Sequence, residues 1–313
     1  MAASRTTRAP ARQVFAAVTA AVILAIPITL AQGSDVETST LDRIRATGQI
    51  RLGYRLDAKP FSYGDESGQP AGYAVSVCDR IAAAVRSAVA PAASIRWVPV
   101  TAMERFDTVR RRDIDLLCSA DSVTLARRGV VSFSIPIFPG GIGAMVRSDA
   151  PLRLRQVLAG RGQTIPNWRA SAARTLQARA FTAVAGTTGE TWLAQRFRDL
   201  QVHAERNTVG TYKEGLARLV SRRSDVLFGE RAILLDAAHR DAAAADLVVI
   251  ERQLTSEPLA LALRRGDEDF RLFVDAVVSR LFRSGEVRGL YESAFGVPDE
   301  HATAFFRAAA LPE

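Results

Sequence analysis

Residues Asp113 to Ser134 read D-I-D-L-L-C-S-A-D-S-V-T-L-A-R-R-G-V-V-S-F-S. Ile114, Leu116 and Leu117 predict a short apolar strand, and Ser119, Ser122 and Thr124 predict a hydroxyl-bearing turn. Arg127 and Arg128 follow before a second apolar strand. A guanidinium offers a planar fork that matches two oxygens, and a loop of small residues leaves N–H groups and hydroxyls free to complete the shell. The stretch is suited to holding a carboxylate. Arginine by itself argues little, because the chain has 41 Lys+Arg and only Lys59 and Lys213 are lysines. Most of these arginines must be solvated surface; the setting of Arg127 between two strands, just past the turn, singles it out.

Upstream, Ser39 or Thr40 caps a helix with Leu41 and Ile44 at helical spacing, stopped by Gly48. Ile50 to Tyr54 alternates with period two and predicts a strand, followed by a loop from Arg55 to Gly72 rich in Gly, Pro, Ser and Asp. Phe61 and Tyr63 lie in this loop and Tyr73 at its end, either as the wall of a ligand pocket or as pins to the core. A helix over Tyr73 to Ser87, a strand over Ile95 to Val98 and a helix over Met103 to Arg111 complete the approach. This alternation predicts a mostly parallel sheet with helices on both faces. Ligands of such sheets sit off the carboxyl ends of the strands, where Arg55, Ser119 and Arg127 fall.

Downstream, Ile135 to Val146 is apolar, punctuated by Gly and Pro, and reads as an extended crossing segment. Leu152 to Ala180 is rich in Arg and Ala with weak periodicity. Ala183 to Ala185 predicts a strand edge running into Gly186-Thr187-Thr188-Gly189-Glu190 and a helix. Such a turn presents free N–H groups, hydroxyls and the positive end of the helix dipole, although a capping box through Glu190 accounts for Thr187 equally well. A helix begins at Tyr212, and the apolar strand from Asp225 closes on Glu230, which needs a partner if buried. Val248 to Ile250 and Leu259 to Leu263 predict two more strands, the second a return crossing. Helices over Phe270 to Arg283, Glu286 to Phe295 and Thr303 to Ala309 end the chain. Two αβ units joined by two crossing strands leave a cleft between lobes, a geometry suited to capturing a small polar ligand by closure.

The composition, 48% hydrophobic and 24% charged over 313 residues, has room for about two domains. Arg5, Arg8 and Arg12 belong to a leader without an acid before Asp35, and discounting them takes the net charge from +8 to +5. The remaining arginine is scattered, with no aromatic clustering or helix-turn-helix pattern, which argues against nucleic acid. The arginine-bearing start, the apolar run Val14 to Leu30 and the site ending at Ala31 predict a cleaved secretory signal over residues 1–31, and so an exported chain, a retained membrane anchor being the alternative; the resemblance described below makes the expected location periplasmic. Cys78 and Cys118 could be bridged in an exported chain, but their apolar flanks read rather as two buried free thiols. His203, His239 and His301 have no metal-ligand spacing, so neither a metal nor another cofactor is expected.

Six stretches taken in order resemble the periplasmic solute-binding proteins for polar amino acids that serve ABC importers, solute-binding protein family 3. They are Leu41 to Arg55, Lys59 to Tyr73, Asp115 to Pro136, Ala183 to Thr191, Asp225 to Glu230 and Leu281 to Gly296. The resemblance covers nearly everything from Leu41 to Phe295 and is greatest to glutamate/aspartate-binding members. It implies an α/β, two-lobed, type II periplasmic-binding fold, with residues 36–142 plus 257–300 as one lobe and 143–256 as the other. Residues 301–313 would be a tail, and the segment 152–180 looks like an insertion. It further implies that Arg127 takes the α-carboxylate with Ser122 and Thr188, and that Glu230 takes the α-ammonium. Arg55 and Arg105 would receive a side-chain carboxylate. Ser119 and Tyr212 join them in the expected site, Tyr212 standing where some acidic-ligand binders have histidine. Three arginines against one glutamate would suit a dicarboxylate with one ammonium, whereas an inward Asp121 would repel it. The partners implied are an amino-acid ligand and an inner-membrane ABC permease, the protein acting as a monomer and not as an enzyme. A broad-range receptor, a sensor and a dehydratase of cyclic prephenate-like acids on the same fold are the alternatives.

Overall fold

In the computed structural model, which describes residues 39–161, 174–240 and 244–312, the strand Leu116–Ser122 is buried at every position. That burial is the mark of a strand covered on both faces, and it explains the unbroken apolar start of the segment. It lies inside a sheet whose order is Ser94–Val100, Gln49–Arg55, Leu116–Ser122, Glu257–Leu263, Ser132–Phe133, with Phe138–Gly140 also paired to Glu257–Leu263. The first three strands are parallel; the return strand runs antiparallel to Leu116–Ser122. A second sheet has the order Glu205–Val209, Ala180–Val184, Val226–Glu230, Ile142–Arg147, Leu247–Val249, again with its first three strands parallel. This is the type II periplasmic-binding architecture that the family resemblance implied.

Local signals set the helix ends. Ser39 accepts from the Asp42 N–H to cap Thr40–Thr47, and Gly48 ends it in the left-handed conformation at φ 62°. Asp267 caps the helix Glu268–Ser284, whose Phe270, Val274, Val278 and Leu281 are buried. The helix Tyr73–Ala88 buries Val77, Cys78, Ile81 and Val85. It is bonded to the central strand by a Cys78–Cys118 disulfide, correcting the expectation of free thiols. The physical reason is that the helix packs directly over Leu116–Ser122 and brings the two Cα atoms to 6.1 Å, within bridging range.

Phe61 and Tyr73 pin rather than line, whereas Tyr63 is half-buried under Lys59. Phe61 and Tyr73 are each 1% exposed, Phe61 packing at 4.9 Å on Phe138 and 5.2 Å on Phe295, while the Tyr73 hydroxyl donates to Ile137 O at 2.9 Å. Burying a ring of this size contributes about 2–3 kcal/mol, enough to fix the loop that follows Arg55. The crossing segment divides at Gly140 and Gly141: Phe138–Gly140 pairs in one sheet and Ile142–Arg147 in the other. A Cβ at Gly140 would come within 2.6 Å of Leu259 and 2.9 Å of Glu230 Oε2, and one at Gly141 within 2.1 Å of Thr255 O. Only glycine lets the backbone pass there. The expected signal over 1–31 and part of the expected insertion, residues 162–173, lie outside the described residues; the helix Leu152–Leu158 opens that segment.

Candidate functional site

All eight residues expected at the site line one cavity, together with Ala58, Ala120, Asp121, Thr187, Ile233 and Leu259. The topology explains the convergence. Arg55, Ser122 and Glu230 end strands, while Arg105, Thr188 and Tyr212 begin the helices that follow strands. The carboxyl ends of both parallel sets therefore face one space. A second cavity of about 510 Å³ opens between the helices Arg231–Arg240 and Glu286–Phe295, and shares only Glu230 with the expected site. The smaller cavity, about 30 Å³ and so of water scale, is the one where arginines, hydroxyls and carboxylates converge.

Arg127 sits on the short helix Leu125–Arg128, with Thr124 accepting from its N–H at 3.2 Å. Its Nη1 donates to Ser122 O at 2.8 Å and its Nη2 to Gly186 O at 3.2 Å, with the guanidinium 5.1 Å over the Phe106 ring. Burial, then the like charge of Arg105, pulls its pKa down to about 10, so it remains a cation at neutral pH. The Arg105 guanidinium lies over the same ring at 4.3 Å and its Nη2 also donates to Gly186 O at 3.2 Å. Two cations from one sheet thus share a carbonyl from the other. Ser122 Oγ stands 3.4 Å from Thr188 Oγ1, which donates to Glu257 Oε2 at 2.8 Å. Thr187 caps its helix by accepting from the Glu190 N–H, while the Glu190 carboxylate accepts from Gly186 N at 2.8 Å. The capping reading accounts for Thr187, and the neighbouring Thr188 lines the cavity with its hydroxyl bonded to Glu257.

Arg55 is 4% exposed, with its Nε and Nη2 on Asp57 Oδ1 at 2.9 and 2.6 Å and its guanidinium 6.0 Å over the Tyr212 ring. Arg105 is 2% exposed and donates from Nε to Asp121 Oδ1 at 2.6 Å; Ser119 donates its hydroxyl to the other oxygen of Asp121. Burial works against the ionised Asp121, but Arg105, Arg127 and the Ser119 hydrogen bond outweigh it and hold the carboxyl below its ordinary range. The strand is irregular here: pairing with the return strand shifts between Ala260 and Ala262, and Ala120 adopts φ 54°. Bulges of this kind re-aim side chains beside functional sites.

The Glu230 carboxylate accepts from Gly141 N at 3.0 Å and from Ala232 N at 3.4 Å. Its main-chain N–H donates to the Tyr212 hydroxyl at 3.1 Å. Among the described residues it is held by backbone donors and not by an ion pair, and desolvation pushes its pKa up to about 8. Burial likewise raises Tyr212 to about 12, keeping its hydroxyl neutral. The sequence reading missed Asp57 and Glu257, and took Asp121 as a source of repulsion toward a ligand carboxylate. These acids alter the charge balance: of the three arginines, Arg55 and Arg105 each already have a carboxylate. Asp57 lies two residues past Arg55, a signal in plain view, whereas Glu257 is 69 residues from Thr188 and nothing local marks it.

The profile of the bacterial extracellular solute-binding proteins, family 3, matches residues 50–297. The chain is 26% identical over 280 residues to the L-glutamate/L-aspartate-binding protein of Pseudomonas aeruginosa, covering 89% of this chain and 85% of that one. It is 23% identical over 284 residues to the glutamate/aspartate import solute-binding protein of Escherichia coli, covering 90% and 88%. Among solved structures, the cysteine-binding protein from Campylobacter jejuni superposes with a TM-score of 0.69 at 20% identity, over 84% of this chain and 96% of that one. That last likeness is one of fold.

Proposed function

Because the chain belongs to the bacterial extracellular solute-binding proteins of family 3, we propose that it captures an amino acid between its two sheets and presents it to the permease of an ABC importer. The observation that carries this is the pairing of Arg127 with Glu230 across one small cavity, a fixed cation for an α-carboxylate and a carboxyl for an α-ammonium. Ser122 and Thr188 supply hydroxyls from opposite sides of the same space. Capture follows from the geometry by opening and closing, since the cavity is of water scale and the contacts of Arg105 and Arg127 with Gly186 O must part to admit a ligand.

Glutamate and aspartate are the ligands we assign first, on the names of the two relatives and on the three cavity arginines. The carboxylates on Arg55 and Arg105 favour a second reading, a broader receptor that also takes uncharged polar amino acids. We place the protein outside the inner membrane, in keeping with the family's extracellular character; no helix among the described residues is long and apolar enough to cross a membrane.

A thermal-shift screen of the purified protein against the twenty amino acids and small dicarboxylates tests all of this. Binding at a hundredfold excess over the dissociation constant stabilises the native state by about 2.7 kcal/mol. A shift with glutamate and aspartate alone supports the acidic reading, and a shift with many amino acids supports the broad one. Silence throughout, combined with turnover of prephenate or arogenate, would replace the receptor by an enzyme.

A further inference from the structure

Asp121 is a buried carboxylate on the cavity wall, set against the Arg105 that the amino-acid reading gives to the ligand's side chain, and two contacts and the local backbone fix its direction. Arg105 Nε donates to Oδ1 at 2.6 Å, Ser119 holds the other oxygen, and the irregular strand at Ala120 turns the residue into the cavity. Arg105 is 2% exposed and Asp121 6%, so each is the other's compensation for leaving water. A buried guanidinium with a carboxylate on it is already neutralised, and a second carboxylate brought to it gains less and meets the first one's repulsion.

We infer that Asp121 is a specificity-determining residue, a resident carboxylate that competes with the ligand's side chain for Arg105 and so levels the receptor's preference between dicarboxylic amino acids and their uncharged amides. The inference rests on the amino-acid reading above and goes further by assigning what sets the ligand's charge. Without Asp121, Arg105 would be a buried cation short of a counter-ion, and a ligand carboxylate would supply one. An amide side chain could offer only its carbonyl oxygen, a weaker acceptor for a guanidinium.

The test is isothermal titration of the purified protein with glutamate, aspartate, glutamine and asparagine, for the wild type, Asp121→Asn, and Arg105→Gln combined with Asp121→Asn. The expected result is a glutamate-to-glutamine affinity ratio within about tenfold for the wild type, rising by about tenfold or more in Asp121→Asn through tighter glutamate binding. The double variant should return to the levelled ratio, since the cation that rewards a carboxylate is gone. Thermal melts give a second readout: Asp121→Asn should melt lower without ligand, and glutamate should restore it more than glutamine does. A ratio that stays constant or falls in Asp121→Asn overturns the inference. If that variant does not fold, the comparison is the double variant against the wild type, and loss of a strong wild-type glutamate preference would show that Arg105 is open to the ligand and overturn it equally. Failure of every amino acid to bind the wild type would instead remove the receptor reading, and this inference with it.

Discussion

Arg127 reaches from the end of one sheet to the other, its Nη2 donating to Gly186 O at 3.2 Å while its Nη1 holds Ser122 O at 2.8 Å. The guanidinium is thus oriented by backbone carbonyls, which fix its fork without neutralising its charge.

Arg127→Ala should therefore abolish binding of every amino acid ligand. Removing a buried, hydrogen-bonded charge partner costs about 2–5 kcal/mol, or roughly a thirtyfold to several-thousandfold loss in affinity. Arg55→Ala should weaken acidic ligands more than neutral ones. Titration calorimetry checks both, and near-normal glutamate binding by Arg127→Ala would show that the assigned site is wrong.

Gly186 occupies the left-handed region at φ 71°, and a Cβ there would stand 3.0 Å from Ala102 O and 3.1 Å from Met103 Sδ. Gly186→Ala should destabilise the fold by about 1–2 kcal/mol through backbone strain and weaken ligand binding by displacing the carbonyl shared by Arg105 and Arg127. Chemical denaturation and calorimetry on the same variant measure the two effects separately.

Glu230, with its pKa raised to about 8 by desolvation, carries a proton at neutral pH in the free protein. A ligand ammonium favours the ionised form, so capture should release a proton and affinity should rise as the pH climbs towards about 8. Stability without ligand runs the other way. The native state holds the proton more tightly than the unfolded chain, whose value is the ordinary 4.5, so this contribution is full below that pH and is lost as pH rises through about 8. Glu230→Gln should flatten both profiles. Calorimetry in buffers of differing ionisation heat counts the protons, and unchanged profiles in the variant would refute the assignment.

The Cys78–Cys118 bridge closes a segment with a sequence separation of 40. Loop-closure entropy for that length predicts a loss of about 4 kcal/mol on reduction or in Cys78→Ser with Cys118→Ser. Melting with and without reductant measures it. Because Cys118 lies beside Ser119 and Asp121 on the site strand, ligand affinity should fall with stability.

Much of the fold was legible because its signals are local. The capping Ser39, the stop at Gly48, the apolar start of Leu116–Ser122 and the return crossing at Leu259 to Leu263 all act through neighbours in the chain. Arg55, Ser119 and Arg127 were legible because they fall at or just past strand ends, which a parallel sheet gathers on one side, whereas Arg105, Ser122, Thr188, Tyr212 and Glu230 were reached through the family resemblance. Asp57 and Asp121 were visible as residues but not as partners, since a sequence shows charge without direction: Asp121 read as repulsive until the structure turned it onto Arg105.

The sequence by itself determined most of the elements that flank the cleft, but not the strand Glu205–Val209 or the helix Arg231–Arg240. Only the tertiary structure decided the charge balance there, the bridging of Cys78 to Cys118 and the burial of Phe61 and Tyr73. The reason is physical: caps and periodicity act over a few residues, whereas ion pairing, disulfide formation and desolvation depend on distances between segments that only packing brings together. In this cleft those distances place a carboxylate against two of three arginines.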